Sequence, residues 1–422
     1  MKRVIQVFEH SELKVGNKAS DGSVFTINEL NTLSRWKAKK EAEDKVPVTF
    51  FEVRSNCLKF RSYTGVIVVG SLQIEVLPKI DQTEERETVW QHLLVEMLLF
   101  TESVQPKLGD EGELAVFQGG ILELYFTLFL NELEKSYQFG LLQKYNTVNA
   151  VSSTIRGKWE IGKQLKKGTF SHHQFYVSYG SFTLEHLLNR VLADTLKLIV
   201  KLPLSSEIKN KSRQLLSHFP DLKPVKCTDS VFKNLLADRQ NRRFEKSIHY
   251  ARLILLNYYP DVMSGHNSVF ALMFNMNTLW ERFLIQALQK TKQVKKVYKP
   301  VHPVPYWKLG NINRSHTPDL LIEEDEHLTV ADAKWKTSKV PEHNDLRQLY
   351  TYMNYYKTGV SCLIFPGLEN KFEIGYFITP LIGVCCIMHI SPLKNGRLNR
   401  TIGKDILAMI SSVHADRNQQ IG

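Results

Sequence analysis

The sequence predicts a multidomain protein of mixed α+β and α/β structure: a β-rich N-terminal segment, a mainly helical middle, and a C-terminal mixed sheet flanked by helices. Three observations lead there. In VIVVGSLQIEVLP, two β-rich runs flank Gly70-Ser71, the pattern of a two-residue hairpin with glycine where positive φ is needed. From about 84 to 260, apolar residues recur at helical spacing in Thr88 to Phe100, Ile121 to Leu133, Phe182 to Leu202 and Arg243 to Tyr258. Beyond 270, short strand-like runs such as VSCLIF, FEIGYFI and GVCCIMHI follow helix-like ones. A chain of 422 residues exceeds one ordinary core, and the expected divisions are 1–83, 84–265 and 266–422.

Within the first division, KAKKEAEDK is helix-prone, whereas PVTFFEVR and NCLKFRSY have strand composition. In the second, TVNAVSSTIRGKWEIGKQL and QFYVSY form a β-rich interruption between helices, with Arg156, Gly157 and Lys158 at a turn. An exposed basic hairpin there is a candidate partner contact, although an ordinary surface turn fits the same residues. Pro260 and Gly265, among polar neighbours, mark a boundary.

Composition narrows the function classes. Hydrophobic content of 43% and charged content of 23% are those of a soluble globular protein, and no stretch reaches the roughly 18 apolar residues that span a bilayer. The opening MKRVIQVFEHSELKVG carries no secretory pattern, so the expected location is cytoplasmic. Five scattered cysteines without a CxxC pair argue against structural zinc. A net charge of +12, with basic runs at Lys37 to Lys40, Lys292 to Lys296 and Lys394 to Lys404, favours encounter with polyanions.

Chemistry concentrates in HTPDLLIEEDEHLTVADAKWK. It reads as a strand from Thr317 to Ile322, an acidic turn, and a second strand from His327 to Lys334. Because side chains alternate along a strand, Asp332 and Lys334 share a face, and Asp319 on the adjoining strand converges with them. Two carboxylates and an ammonium then surround one point. Hard oxygen ligands of this kind hold Mg²⁺, with the Ala333 carbonyl as a further ligand, and Lys334 is placed to orient a water and stabilise developing negative charge. A bare D-x-K is equally the sign of a salt-bridged hairpin, so the flanking segments matter.

Downstream, Asn344 is the expected N-cap of a helix to about Lys357, on which Gln348 and Tyr352 lie four apart on one face. Upstream, Asn277 is the expected cap of a helix with Trp280, Phe283, Leu284, Ala287 and Leu288 in one stripe. Glu281 lies at the edge of that stripe, as a third acid or as an ordinary helix-start glutamate.

A helix with Glu, a strand with Pro-Asp, a strand with Asp-x-Lys and a helix with Gln-x-x-x-Tyr, in that order, resemble the RecB-like branch of the PD-(D/E)xK nucleases over residues 270–380. The whole chain resembles the McrC family, the nuclease subunit of McrBC-type, 5-methylcytosine-specific restriction systems. That resemblance rests on VIVVGSLQIEVLPKI, TIRGKWEIGKQL, FTLEHLLNRVLADTLKL, MNTLWERF, TPDLLI and ADAKWK. It implies a DNA endonuclease dependent on Mg²⁺, for which Mn²⁺ can substitute, with Asp319, Asp332, Lys334, Glu281, Gln348 and Tyr352 catalytic. Of these, Asp319, Asp332 and Glu281, with the Ala333 carbonyl, would hold the metal. It also implies a hexameric AAA+ GTPase partner, McrB, which the chain engages and stimulates; because all convergent acid chemistry lies after residue 270, that role is expected of residues 1–265. This chain carries no G-x-x-x-x-G-K-[ST] loop, so a motor must come from another chain. Two other readings fit the sequence: a non-catalytic activator of an AAA+ NTPase, and a stand-alone RecB-like nuclease. His316, three residues before Asp319, departs from the motif without an assigned role.

Overall fold

The structure is a computed structural model describing residues 3–45, 47–79, 87–101, 120–166, 174–259, 269–324, 327–336, 340–378 and 383–421. It has mixed α and β content, with several sheets and helices, and divides into two compact units: residues 1–121 with 260–422, and residues 122–259. Among the described residues no helix is long and apolar enough to cross a membrane. Pro260 and Gly265 lie outside the described residues.

Strand pairing explains why the units do not follow the divisions expected at 83/84 and 265/266. Val269–Asn275 pairs antiparallel with Tyr63–Val69, so a strand from beyond the proposed boundary joins the N-terminal sheet. In the first unit that sheet runs in the order Arg3–Phe8, Leu72–Leu77, Tyr63–Val69, Val269–Asn275. The central hairpin forms as the sequence predicts, with Val69 opposite Leu72 and Gly70 at φ +59°. Gly65 permits the close approach of the last strand: its φ is +140°, and a Cβ there would lie 2.1 Å from the Leu272 carbonyl oxygen.

Arg3–Phe8, a strand the sequence reading passed over, runs parallel to Leu72–Leu77. The predicted strands Phe51–Arg54 and Cys57–Phe60 form a small sheet with Glu12–Lys14. The predicted helix spans Ile27–Asp44, opened by a capping box between Thr26 and Glu29.

The second sheet of this unit has six strands in the order Lys296–Tyr298, Leu320–Glu323, Leu328–Ala333, Val360–Pro366, Gly383–Ile390, Lys371–Phe377. Leu328–Ala333 and Val360–Pro366 are parallel, so the helix His343–Tyr356 between them is a crossover. The predicted upstream helix spans Met276–Gln289 and buries Trp280, Phe283, Leu284, Ala287 and Leu288. Its N-cap is Asn275, whose side chain accepts from the Thr278 N–H, rather than Asn277. Likewise the downstream helix starts after Glu342, which leaves Asn344 inside it. Both asparagines lie two positions beyond the true cap, where composition cannot separate them. A final helix, Ile402–Ile421, buries Ile402, Ile406, Ile410 and Val413 along one stripe and had not been anticipated.

The second unit contains the helices Gly120–Tyr137, Leu187–Lys201, Ser206–Leu216, Asp229–Ala237 and Glu245–Leu256. The expected helical run from Phe182 starts later, because Phe182 closes the strand Phe175–Thr183 and His186 caps the helix through the Leu188 N–H. Lys144–Ser152 and the two-residue strand Lys158–Trp159 pair with Phe175–Thr183.

One contact ties the first strand to the hairpin bearing the acids. Just past Phe8, buried Glu9 accepts from Trp335 Nε1 at 2.6 Å, while its Oε2 has no hydrogen-bond partner. Burial pushes the Glu9 carboxyl up to about 7, against the Trp335 and Lys79 hydrogen bonds that lower it. The folded chain therefore keeps a proton that the unfolded chain loses near 4.5, and stability falls as pH rises through this window. Glu9→Gln keeps an acceptor for Trp335 and removes the charge. Its melting temperature should exceed that of the wild type by an amount that grows between about pH 5 and pH 8, worth roughly 1–3 kcal/mol at the upper end. Parallel melting curves across that range would contradict the assignment.

Candidate active site

Leu320–Glu323 and Leu328–Ala333 pair antiparallel with Leu320 opposite Ala331, so one further step of the ladder sets Asp319 across from Asp332. Asp319 Oδ2 accepts from the Ala333 N–H at 3.0 Å, which fixes its carboxylate on the neighbouring strand. The turn between these strands closes with Glu324 N–H donating to the His327 carbonyl. Ala333 is buried, and the next residue extends the sheet, with Lys334 N–H donating to the Ile364 carbonyl.

Lys334 Nζ lies 2.7 Å from Asp332 Oδ2 and 3.8 Å from Asp345. The first is an ion pair whose angles leave that buried Asp332 oxygen without an aligned hydrogen bond. Lys334 also donates to Gln348 Oε1 at 3.3 Å, and Gln348 Nε2 donates to the Tyr352 hydroxyl at 2.6 Å. The i, i+4 pair read from the sequence is therefore one relay running back to the lysine. Tyr352 is fully buried among Leu349, Met353, Val330 and Leu363, which holds its hydroxyl still.

Glu281 is half-buried and meets Lys299, which donates to its Oε2 at 2.8 Å and to Asp319 Oδ1 at 3.3 Å. Lys299 and Asp345 escaped the sequence reading. Lys299 sits 20 residues before Asp319 in a basic stretch without a motif, and only the pairing of Lys296–Tyr298 with Leu320–Glu323 brings it near. Asp345 is buried and also binds Lys336 at 3.3 Å. Asn277 does have a part, accepting from the Trp335 N–H. His316 stacks on Tyr306 and meets the Tyr352 ring edge-on.

The electrostatics follow from this crowding. Burial pushes the Asp332 carboxyl up to about 7, helped by Asp319 and opposed by Lys334. Glu281 is raised too, chiefly by burial. For Lys334, burial works to lower the ammonium, but Asp332, Asp345 and Asp319 together outweigh it and hold it charged. Lys299 behaves alike between Glu281 and Asp319.

Among the described residues, no three His, Cys, Asp or Glu side chains are gathered as a ready metal cluster. The donors nonetheless suit a hard cation: two facing carboxylates, and a buried Asp332 oxygen that meets the Lys334 ammonium out of hydrogen-bond alignment. Mg²⁺ needs only one or two carboxylates, since it keeps much of its water. Arg156, Gly157 and Lys158 belong to the second unit. They are exposed, with Gly157 at φ +74° and the Arg156 guanidinium over the Tyr179 ring at 4.9 Å.

Two solved structures from Thermococcus gammatolerans are similar in fold. One is a refined half-complex from a tetradecameric assembly of McrB AAA+ hexamers with bound McrC. It matches at TM-score 0.73 and 19% identity over 97% of this chain and 100% of that one. The other, a cryo-EM structure of the McrBC complex, matches at TM-score 0.52 and 20% identity over 69% of this chain and 89% of that one. Comparison with curated proteins gives no match. The family model described as McrBC 5-methylcytosine restriction system component covers residues 58–366, most of the chain and all of the residues gathered around Asp319 and Asp332, and the protein belongs to that family.

Proposed function

We propose that this chain is the DNA-cleaving subunit of a modification-dependent restriction system, with a PD-(D/E)xK endonuclease centre at Asp319, Asp332 and Lys334. The observation that carries this reading is the convergence of those three residues with Gln348 and Tyr352 on adjoining strands and one helix. An isolated salt-bridged hairpin would not need a buried carboxylate oxygen left without an aligned hydrogen bond, nor a glutamine relay to a buried tyrosine.

Asp319, Asp332 and the Ala333 carbonyl would hold Mg²⁺ or Mn²⁺, which when bound polarises a phosphodiester and acidifies water. Lys334 keeps its proton beside Asp332 and offsets negative charge that builds on the phosphate oxygens. Gln348 aims Lys334 and is itself aimed by Tyr352. Glu281 acts through Lys299, which it holds against Asp319, and comes within the metal set only if that lysine moves.

The partner in this reading is a GTPase, and a hexameric AAA+ assembly as McrB is in the similar Thermococcus complex. Arg156 to Lys158 remain the proposed contact that stimulates it, because arginine or lysine delivered near a nucleotide can stabilise phosphoryl transfer. The N-terminal sheet includes Val269–Asn275, so a fragment ending near 260 would lose a strand, and full-length variants are the right reagents.

With partner, GTP and Mg²⁺, Asp319→Ala, Asp332→Ala and Lys334→Ala should each lower DNA cleavage roughly 100-fold or more. Asp332→Ala should still raise the partner's GTP turnover as the wild type does. Cleavage by Asp332→Ala at the wild-type rate would refute the nuclease centre. A second test concerns the relay: Gln348→Ala and Tyr352→Phe should lower cleavage about tenfold while shifting the melting temperature by only a few degrees, the effect of two lost hydrogen bonds in the first and one in the second. Unchanged cleavage with a lower melting temperature would make both residues packing groups.

A further inference from the structure

Beside the acid cluster stands a two-stranded ribbon, Val304–Leu309 paired with Ile312–His316, that joins no larger sheet. Its base is anchored at two points. Val304 is buried in the cluster containing Leu349 and Tyr352, and His316 lies between Tyr306 and Tyr352. Beyond that base everything is exposed. The register puts Trp307 opposite Arg314 and Leu309 opposite Ile312, so these four share one face, with exposures of 47% for Trp307, 62% for Leu309 and 54% for Ile312. A lone hairpin is marginally stable in water, and an indole and two branched aliphatics held out at its tip need a reason other than folding.

Charge identifies the occupant. From Arg282 to Pro318 the sequence has no Asp or Glu, but eight basic residues: Arg282, Lys290, Lys292, Lys295, Lys296, Lys299, Lys308 and Arg314. The acids that bound this interval, Glu281 and Asp319, are both in the candidate site. A ribbon that carries Lys308 and Arg314 with no acid of its own, and is rooted on the helix of Gln348 and Tyr352, suits a polyanion lying across that site. A two-stranded β-ribbon also has dimensions that fit a DNA major groove.

We propose that the ribbon 304–316 is a DNA-binding arm that grips duplex beside the bond to be cut, an inference resting on the nuclease reading above. Trp307, Leu309 and Ile312 press on base edges or faces, while Arg314 and Lys308 meet phosphates or guanine edges. Tyr306, the extra residue of a bulge in its strand, turns onto His316 and keeps the arm in register with Tyr352.

The test uses the full chain, EDTA to prevent cleavage, and a fluorescein-labelled duplex of roughly 30 base pairs at low salt. Trp307→Ala combined with Arg314→Ala should weaken binding at least about tenfold, with a flatter salt dependence and little change in melting temperature, because both residues are exposed. Wild-type-like affinity in this variant, or no affinity of the wild type for duplex, would overturn the proposal. So would loss of AAA+ partner association with DNA binding intact, which would make the ribbon a protein contact. In a separate reaction with partner, GTP and Mg²⁺ in place of EDTA, Asp332→Ala should leave the duplex uncut. If it cuts, the nuclease reading fails while the binding result for the ribbon stands.

Discussion

The hydrogen bond from the Ala333 N–H to Asp319 Oδ2 is the interaction on which the site depends. It extends an antiparallel pair one step beyond its last backbone rung and forces two carboxylates to face each other across neighbouring strands. Like charges so placed repel, and burial of Asp332 makes the repulsion costlier, because low-dielectric surroundings screen it poorly. The arrangement persists because backbone pairing on both flanks is already satisfied. Leu320–Glu323 is braced by Lys296–Tyr298, and Leu328–Ala333 by the parallel strand Val360–Pro366.

Cations complete the balance. Lys299 pairs with Asp319 and Lys334 with Asp332, each lysine meets more than one acceptor, and each is drawn in by the charges it offsets. Removing one member leaves its partner buried without compensation, which is why the cluster acts as a unit. The Glu9–Trp335 contact fixes the backbone immediately after Lys334 from the other sheet of the same unit. The rigidity of the centre therefore draws on strands from both ends of the chain.

Much of this was legible in the sequence, for reasons that differ by residue. Period-2 alternation gave Asp332 and Lys334 a common face, and the hairpin with Asp319 followed from two strand-like runs flanking an acidic turn. Helical spacing gave Gln348 and Tyr352 their shared face, although the helix starts before the asparagine that looked like its cap. What stayed hidden depends on tertiary pairing. Lys299 and Asp345 carry no local signal, and Arg3–Phe8, RVIQVF, lacks the strict apolar–polar alternation that marks a half-buried strand. The division of the chain was hidden for the same reason, since a strand at Val269–Asn275 returning to Tyr63–Val69 leaves no trace in composition.

In the proposed function, Asp319 and Asp332 would jointly hold a divalent cation that serves DNA cleavage. Anomalous scattering from crystals soaked in Mn²⁺ measures this most directly. One strong peak bonded to both carboxylates and to the Ala333 carbonyl is expected. Ordered Mn²⁺ elsewhere with these two carboxylates free, or no ordered ion at a concentration that sustains cleavage, would contradict it.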